Sequence, residues 1–136
     1  MISPRGWFGL ELAHRWTEEE SGRWRGEGGG CLEIVDLMET FDLTSEQMVE
    51  SHAAWCEEHS LHPQQTRLEE TSGGVTVLRS FGETRSDDFL LVAHLWDGGR
   101  LSRLSLRSPL ERLSDTDLAD VLGALFHAHP LENPPP

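Results

Sequence analysis

Phe89-Leu90-Leu91-Val92-Ala93-His94-Leu95-Trp96 holds seven apolar side chains and a single polar one, His94. A strand sends successive side chains to opposite faces. A run that is apolar at both parities therefore predicts a central strand, covered on both sides. Asp97-Gly98-Gly99 follows as a hairpin signal and leads into a partner strand over 101–107. That partner places Arg103, Ser105 and Arg107 on one face, so it is expected to be less enclosed than its neighbour. Working outward, strands are expected at 75–81 and 65–70 on the near side. On the far side they are expected at 31–38, at 23–25 and around 7–14, where Leu10 and Leu12 alternate with Glu11.

Two helices are marked by their caps. In Leu43-Thr44-Ser45-Glu46-Gln47-Met48 the Thr44 hydroxyl can accept from the Gln47 amide while the Gln47 side chain reaches back. This is a capping box, with Leu43 and Met48 as its hydrophobic staple. Leu113-Ser114-Asp115-Thr116-Asp117-Leu118 repeats the design. Asp115, Asp117 and Asp120 suit the positive end of the second helix. Leu118, Val121, Leu122, Leu125 and Phe126 then recur at intervals of three and four, an apolar stripe that Pro130 ends. The glycine groups 28–30, 73–74 and 98–99 separate apolar runs and read as turns.

The element order predicts an α+β antiparallel β-sheet with two amphipathic helices. Because the sheet centre is apolar on both faces, the helices are expected on opposite sides, in a three-layer α/β/α sandwich. The alternative puts both helices on one face, with Trp7, Trp16 and Trp24 covering the other. A chain of 136 residues suits one domain, expected over 1–131, with a Pro-rich tail over 132–136.

This order resembles the PsbP-like fold, the family of the photosystem II extrinsic subunit and the yeast Ran-release factor. The residues that carry the likeness are Phe8-Gly9-Leu10-Glu11-Leu12 leading to Trp16, then Trp24 and Gly28-Gly29-Gly30 before Cys31-Leu32-Glu33-Ile34-Val35. Thr44-Ser45-Glu46 opens the first helix, and 118–126 forms the last. The resemblance implies an antiparallel α+β domain with an accessory or chaperone-like role. It implies no catalytic residues, since members of the family share no catalytic motif.

Eleven arginines, no lysine and twenty-four acidic residues give a formal charge of −13. Such a chain lacks the cations that displace phosphate counterions, which argues against nucleic acid and against an anionic membrane surface. No span approaches the roughly 20 apolar residues of a membrane helix. The opening MISPRGWFGLELAHRW has no apolar signal core, so a soluble, cytoplasmic protein is expected. Cys31 and Cys56 form no C-x-x-C motif and read as small buried thiols.

Two constellations stand out. Trp7, Trp16 and Trp24 fall among Arg5, Arg15, Arg23 and Arg25, a mixture favoured at protein interfaces. The same mixture also serves a small sheet as cover, with arginine stacked on tryptophan. A binding surface of Trp7, Trp16, Trp24, Arg23 and Arg25 is one expectation. The other is a pocket between the first helix and the sheet. There His52, Cys56 and His59 share a helical face, and His94 lies on the central strand. Imidazole and thiolate are zinc ligands, yet Met48 and Trp55 lie on the same arc, which makes it core-facing. No metal or other cofactor is therefore expected. The serines form no G-x-S-x-G elbow, and a Cys56–His pair lacks an orienting partner. The acidic runs Glu18-Glu19-Glu20, Glu69-Glu70 and Asp87-Asp88 read as solvated loops or strand ends.

The expectation from sequence is a non-enzymatic binding module with an unidentified protein partner. The alternative is a small-ligand or metal-binding protein using the pocket under the first helix. Oligomeric state has no signal in the sequence.

Overall fold

The computed structural model describes residues 3–4, 6–13, 15–40 and 42–131. Arg5 and the expected tail over 132–136 lie outside the described residues.

The protein is α+β, with two helices, a seven-stranded antiparallel sheet and a small two-stranded one. In chain order the strands are β1 (Phe8–Gly9), β2 (Thr17–Glu20), β3 (Arg23–Arg25) and β4 (Cys31–Glu39). Helix α1 (Ser45–Glu58) precedes β5 (Leu61–Glu70), β6 (Thr76–Thr84), β7 (Asp88–Trp96) and β8 (Arg100–Pro109). A short 3-10 turn, Leu110–Arg112, leads to α2 (Asp115–Phe126) and β9 (His129–Pro130). The large sheet runs β2-β3-β4-β8-β7-β6-β5, while β1 pairs with β9. The apolar run of 89–96 is thus an interior strand, held by β6 on one side and β8 on the other.

Both caps form. The Thr44 hydroxyl accepts from the Gln47 amide at 3.1 Å, and the Gln47 side-chain oxygen accepts from the Thr44 amide at 2.9 Å. Ser114 accepts from the Asp117 amide at 3.2 Å. The Asp117 carboxylate turns instead to the glycine loop, where it accepts from the Gly30 amide at 3.2 Å. That loop is glycine because it lies directly against the start of α2. A Cβ on Gly28 would stand 2.2 Å from the Ser114 Cβ, and one on Gly26 would stand 2.6 Å from an Asp117 oxygen.

Alternate residues of β7 enter two separate cores. Phe89, Leu91, Ala93 and Leu95 join Leu32, Leu104 and Leu106 of the sheet. They meet Val121, Ala124 and Leu125 of α2 together with Phe8, Leu10, Leu12, Trp16 and Trp24. Leu90 and Val92 point the other way, to Cys56 and Trp55 of α1 and to Leu61.

Several expectations need correction. The strand expected over 7–14 shrinks to Phe8–Gly9, with Leu12 bridging alone; the segment covers the core with side chains rather than pairing along its length. The Glu18-Glu19-Glu20 run is an edge strand, tolerated because all four residues of β2 are exposed to water. Phe126, expected in the α2 stripe, is 62% exposed, since the helix buries Val121, Ala124 and Leu125 instead.

Candidate functional site

Helix α1 lies over β5, β6 and β7 and buries Met48, His52 and Cys56 against them. Beneath it runs a chain of polar side chains drawn from four elements. His52 Nδ1 stands 2.8 Å from His94 Nδ1 on β7, and His52 Nε2 stands 2.6 Å from the Ser80 hydroxyl on β6. Ser80 in turn shares a hydrogen bond of 2.8 Å with Thr66 on β5. His52, His94 and Ser80 are all buried, at 3%, 4% and 1% exposure.

Two proton arrangements close this chain. In one, His94 donates to His52, His52 to Ser80, and Ser80 to Thr66. In the other every donation reverses, and Ser80 donates to His52 Nε2. Either leaves both imidazoles neutral. Burial drives His52 down to about 4. Burial, with His52 and the Arg103 cation nearby, drives His94 down to about 3. The Cys56 thiol sits against Ser80, and burial pushes it up from its ordinary value, so it stays protonated.

The set has the order nucleophile, base, orienting group that acyl-transfer chemistry uses. Ser80 nevertheless lies under α1, and a substrate carbon reaches its oxygen only if the helix lifts. As it stands, His52, His94 and Ser80 each find a hydrogen-bond partner within the set, with Thr66 at its exposed end, and such pairing is what keeps polar groups affordable in a core. No group of three or more His, Cys, Asp or Glu side chains surrounds a common point among the described residues. The 2.8 Å between the two imidazole nitrogens is a hydrogen-bond length. Two imidazoles on one tetrahedral zinc, with bonds of about 2.0–2.1 Å, would stand about 3.3 Å apart.

Of the expected pocket residues, the structure brings His52, Cys56 and His94 together and leaves His59 outside. His59 is the exposed C-cap of α1, with its ring stacked on Trp55 at 3.8 Å between centroids. It lies one step beyond the last buried turn, so it shares the helical arc without sharing the core. Ser80 and Thr66 were missed. Their signal was a pair of hydroxyls on the two successive strands to one side of His94, at the parity that faces α1, readable only once the β5–β6–β7 register is known. The space expected to hold a ligand is filled by this network. A cavity of about 360 Å³ lies instead at the end of α1, lined by Ala53, Cys56, Glu57, His62 and Arg85 among others.

The Trp and Arg set divides. Trp16 and Trp24 are core residues at 2% and 8% exposure, and Trp7 is half-buried against the same core. They cover the α2 side of the sheet, which corrects the expectation of an exposed tryptophan surface. Trp16 also donates from Nε1 to Asp120 on α2 at 3.1 Å. Arg23 and Arg25 flank Trp24 on β3, so they emerge on the opposite face. By register Arg25 adjoins Cys31 and Arg107, and Arg23 adjoins Glu33 and Ser105. These rows continue to Leu90 and Val92, which places them on the α1 side.

Helix α1 stops short of them. Arg23, Arg25 and Arg107 have side chains 47%, 49% and 43% exposed. They pair with Glu33, Glu19 and Asp88 at 3.2, 3.0 and 3.2 Å. Arg103 forms the inner end of this face, with its guanidinium 5.1 Å from the centre of the Trp55 ring. Burial lowers its pKa, and Glu33 opposes that shift. The alternation of Arg103, Ser105 and Arg107 was the sequence signal for this half-open surface. No protein-family model matches the chain and no curated protein matches it, so its function is read from this geometry.

Proposed function

We propose that the chain is a non-enzymatic, cytoplasmic protein-binding module, a three-layer α/β/α sandwich of the PsbP-like kind with an accessory role. The observation that carries this reading is the uncovered half of the α1-side face. Arg23, Arg25, Arg103 and Arg107 stand there in adjacent rows, with Trp55 as a wall. Arginine and tryptophan are the residue types that most often anchor interfaces. Four arginines set against Glu19, Glu33 and Asp88 make the face far less acidic than a chain of formal charge −13 is as a whole. The partner it fits is a protein segment that brings carboxylates to the arginines and an apolar side chain to Trp55. Its carboxylates would replace Glu19, Glu33 and Asp88 in the existing ion pairs.

The test is affinity capture from the native cell with three baits: wild type, Arg25→Glu/Arg103→Glu, and Phe126→Ser on the other side of the sheet. A polypeptide retained by wild type and by Phe126→Ser, and lost from the double variant, supports the reading. Retention by all three baits overturns it.

A second reading rests on the cavity of about 360 Å³ at the end of α1, where the buried Cys56 meets His62 and Arg85. It fits a small ligand with an anionic group. Thermal melting against a set of small carboxylates and phosphates tests it. An upward shift that Ala53→Trp abolishes by filling the cavity would favour this reading.

A further inference from the structure

The two edges of the large sheet treat a second copy of the chain in opposite ways. Edge strand β2 is four residues long, with three consecutive glutamates and a bulge between Glu18 and Glu20. Laid beside itself it brings like charges together, which opposes pairing. Edge strand β5 is ten residues long. Its first part is blunted by Pro63 and by a bulge between Pro63 and Gln65. From Gln65 to Glu70 it pairs regularly with β6, and among the described residues no strand pairs with its other side.

We propose that two copies of this chain join antiparallel through β5, centred on Leu68, to make one continuous sheet. Four geometric facts select this arrangement. A two-fold axis normal to the sheet keeps each face continuous, so a residue must meet a residue of its own parity. Centring on Arg67 would set arginine against arginine, and centring on Glu69 would set glutamate against glutamate. Centring on Thr66 would bring Pro63, which has no N–H to donate, opposite Glu69 of the second copy. Centring on Leu68 sets Leu68 against Leu68 and Arg67 against Glu69 of the second copy, twice over.

The apolar surface points the same way. Leu68 is 51% exposed and belongs to the α1 face, in register with Leu78 and His94. Phe126 is 62% exposed on the α2 face, where it lines a cleft with Glu69, Glu70 and Arg79. Among the described residues, two of the four exposed large apolar ones, Met38, Val49, Leu68 and Phe126, thus flank this one edge. Within one chain Glu69 is already held by Arg79 at 3.3 Å, with Arg67 at 3.7 Å. Glu69 is thereby positioned for the Arg67 of a neighbour. The partner is a second copy because the charges of β5 complement themselves under the two-fold axis. The surface is distinct from the arginine face of the proposed function.

Analytical ultracentrifugation of the full chain tests the proposal. Wild type is expected to dimerise. Arg67→Glu and Glu69→Arg are each expected to weaken self-association at least tenfold, since each sets like charges at both 67–69 contacts. An equimolar mixture of the two variants should dimerise again, because the mixed pair places opposite charges at both contacts. An ion pair confined within one chain cannot produce that rescue. Hydrogen exchange on wild type gives a second readout that needs no variant, with β5 amides gaining protection as concentration rises. A wild type that stays monomeric, or a dimer indifferent to both substitutions, overturns the proposal. So does a mixture that stays monomeric.

Discussion

Phe89, Leu91, Ala93 and Leu95 face α2 in a mainly apolar core, with buried Ser102, Ser108 and Asp117 beside it, while Leu90 and Val92 share their face with His94. The α2 side is closed by a helix, by Leu10 and Leu12, and by two buried tryptophans. The α1 side is closed over β5, β6 and β7 by a helix that carries its own histidine, and is open over β8, β4 and β3. One strand therefore serves two environments. The larger apolar cluster lies on the α2 side, and the paired histidines and the exposed arginines lie on the other. A domain that holds itself together from one face can leave half of its second face for a partner.

Acid should damage the α1 side first, and this is the largest effect expected. Above pH 6.5 His52 and His94 are neutral whether the chain is folded or unfolded. Below it the unfolded chain takes up protons that the folded chain refuses until about pH 4 and pH 3. Stability therefore falls as pH falls through that window, by about 1.4 kcal/mol per unit for each histidine. Together they should remove about 4 kcal/mol by pH 5. Urea titrations from pH 7.5 to pH 5 measure this. A His52→Leu/His94→Leu variant should flatten the dependence, because Ser80 and Thr66 can still satisfy each other and the volume is kept. A slope that survives in that variant would place its origin elsewhere.

Next in size is the α2-side core. Leu91, with no exposure, should cost about 2–5 kcal/mol on truncation to alanine. Leu118, on the same side but only half-buried, should cost less. Equal losses would mean that the α2 core gives no more support at its centre than at its margin.

The difference between the faces was only half visible in the sequence. The central strand, both caps and the antiparallel pattern were legible because each is written in consecutive residues. Arg103, Ser105 and Arg107 also announced an open surface by their alternation. What the sequence hid depends on long-range register. Trp16 and Trp24 were placed beside arginines by chain order. On a strand, however, neighbours point to opposite faces, so Trp24 entered the core while Arg23 and Arg25 stayed in water. His52 and His94 meet across forty-two positions, and Ser80 joins them from a third element. No local spacing encodes that meeting. His59 shows the converse error, since helical periodicity continued one residue past the end of the buried turn.

The α2 side depends on its helix starting in the right place against the Gly26–Gly30 turn. Ser114→Ala should therefore cost about 1 kcal/mol, chiefly through the lost cap on the Asp117 amide. Thermal or urea unfolding measures it. A loss near zero would show that the Asp117 carboxylate, held by the Gly30 amide, sets the start of α2 without help from the cap.

The smallest effect should come from the open face, and its smallness is the point. Arg107 lies in the middle of the uncovered rows, between Leu90 and Cys31, and its ion pair with Asp88 is 3.2 Å long. With its side chain 43% in water, that pair is screened, and holding two side chains in one geometry costs entropy. Arg107→Ala should change unfolding free energy by no more than about 0.5 kcal/mol, the range of substitutions made away from a packed core. The same substitution should weaken capture of the proposed partner, since an arginine at the centre of an interface is desolvated only on binding. A loss above about 1 kcal/mol in urea would mean that Arg107 is built into the fold, and the face would then be structural cover. Unchanged stability with reduced capture would instead separate the two sides of the sheet by function, one for folding and one for binding.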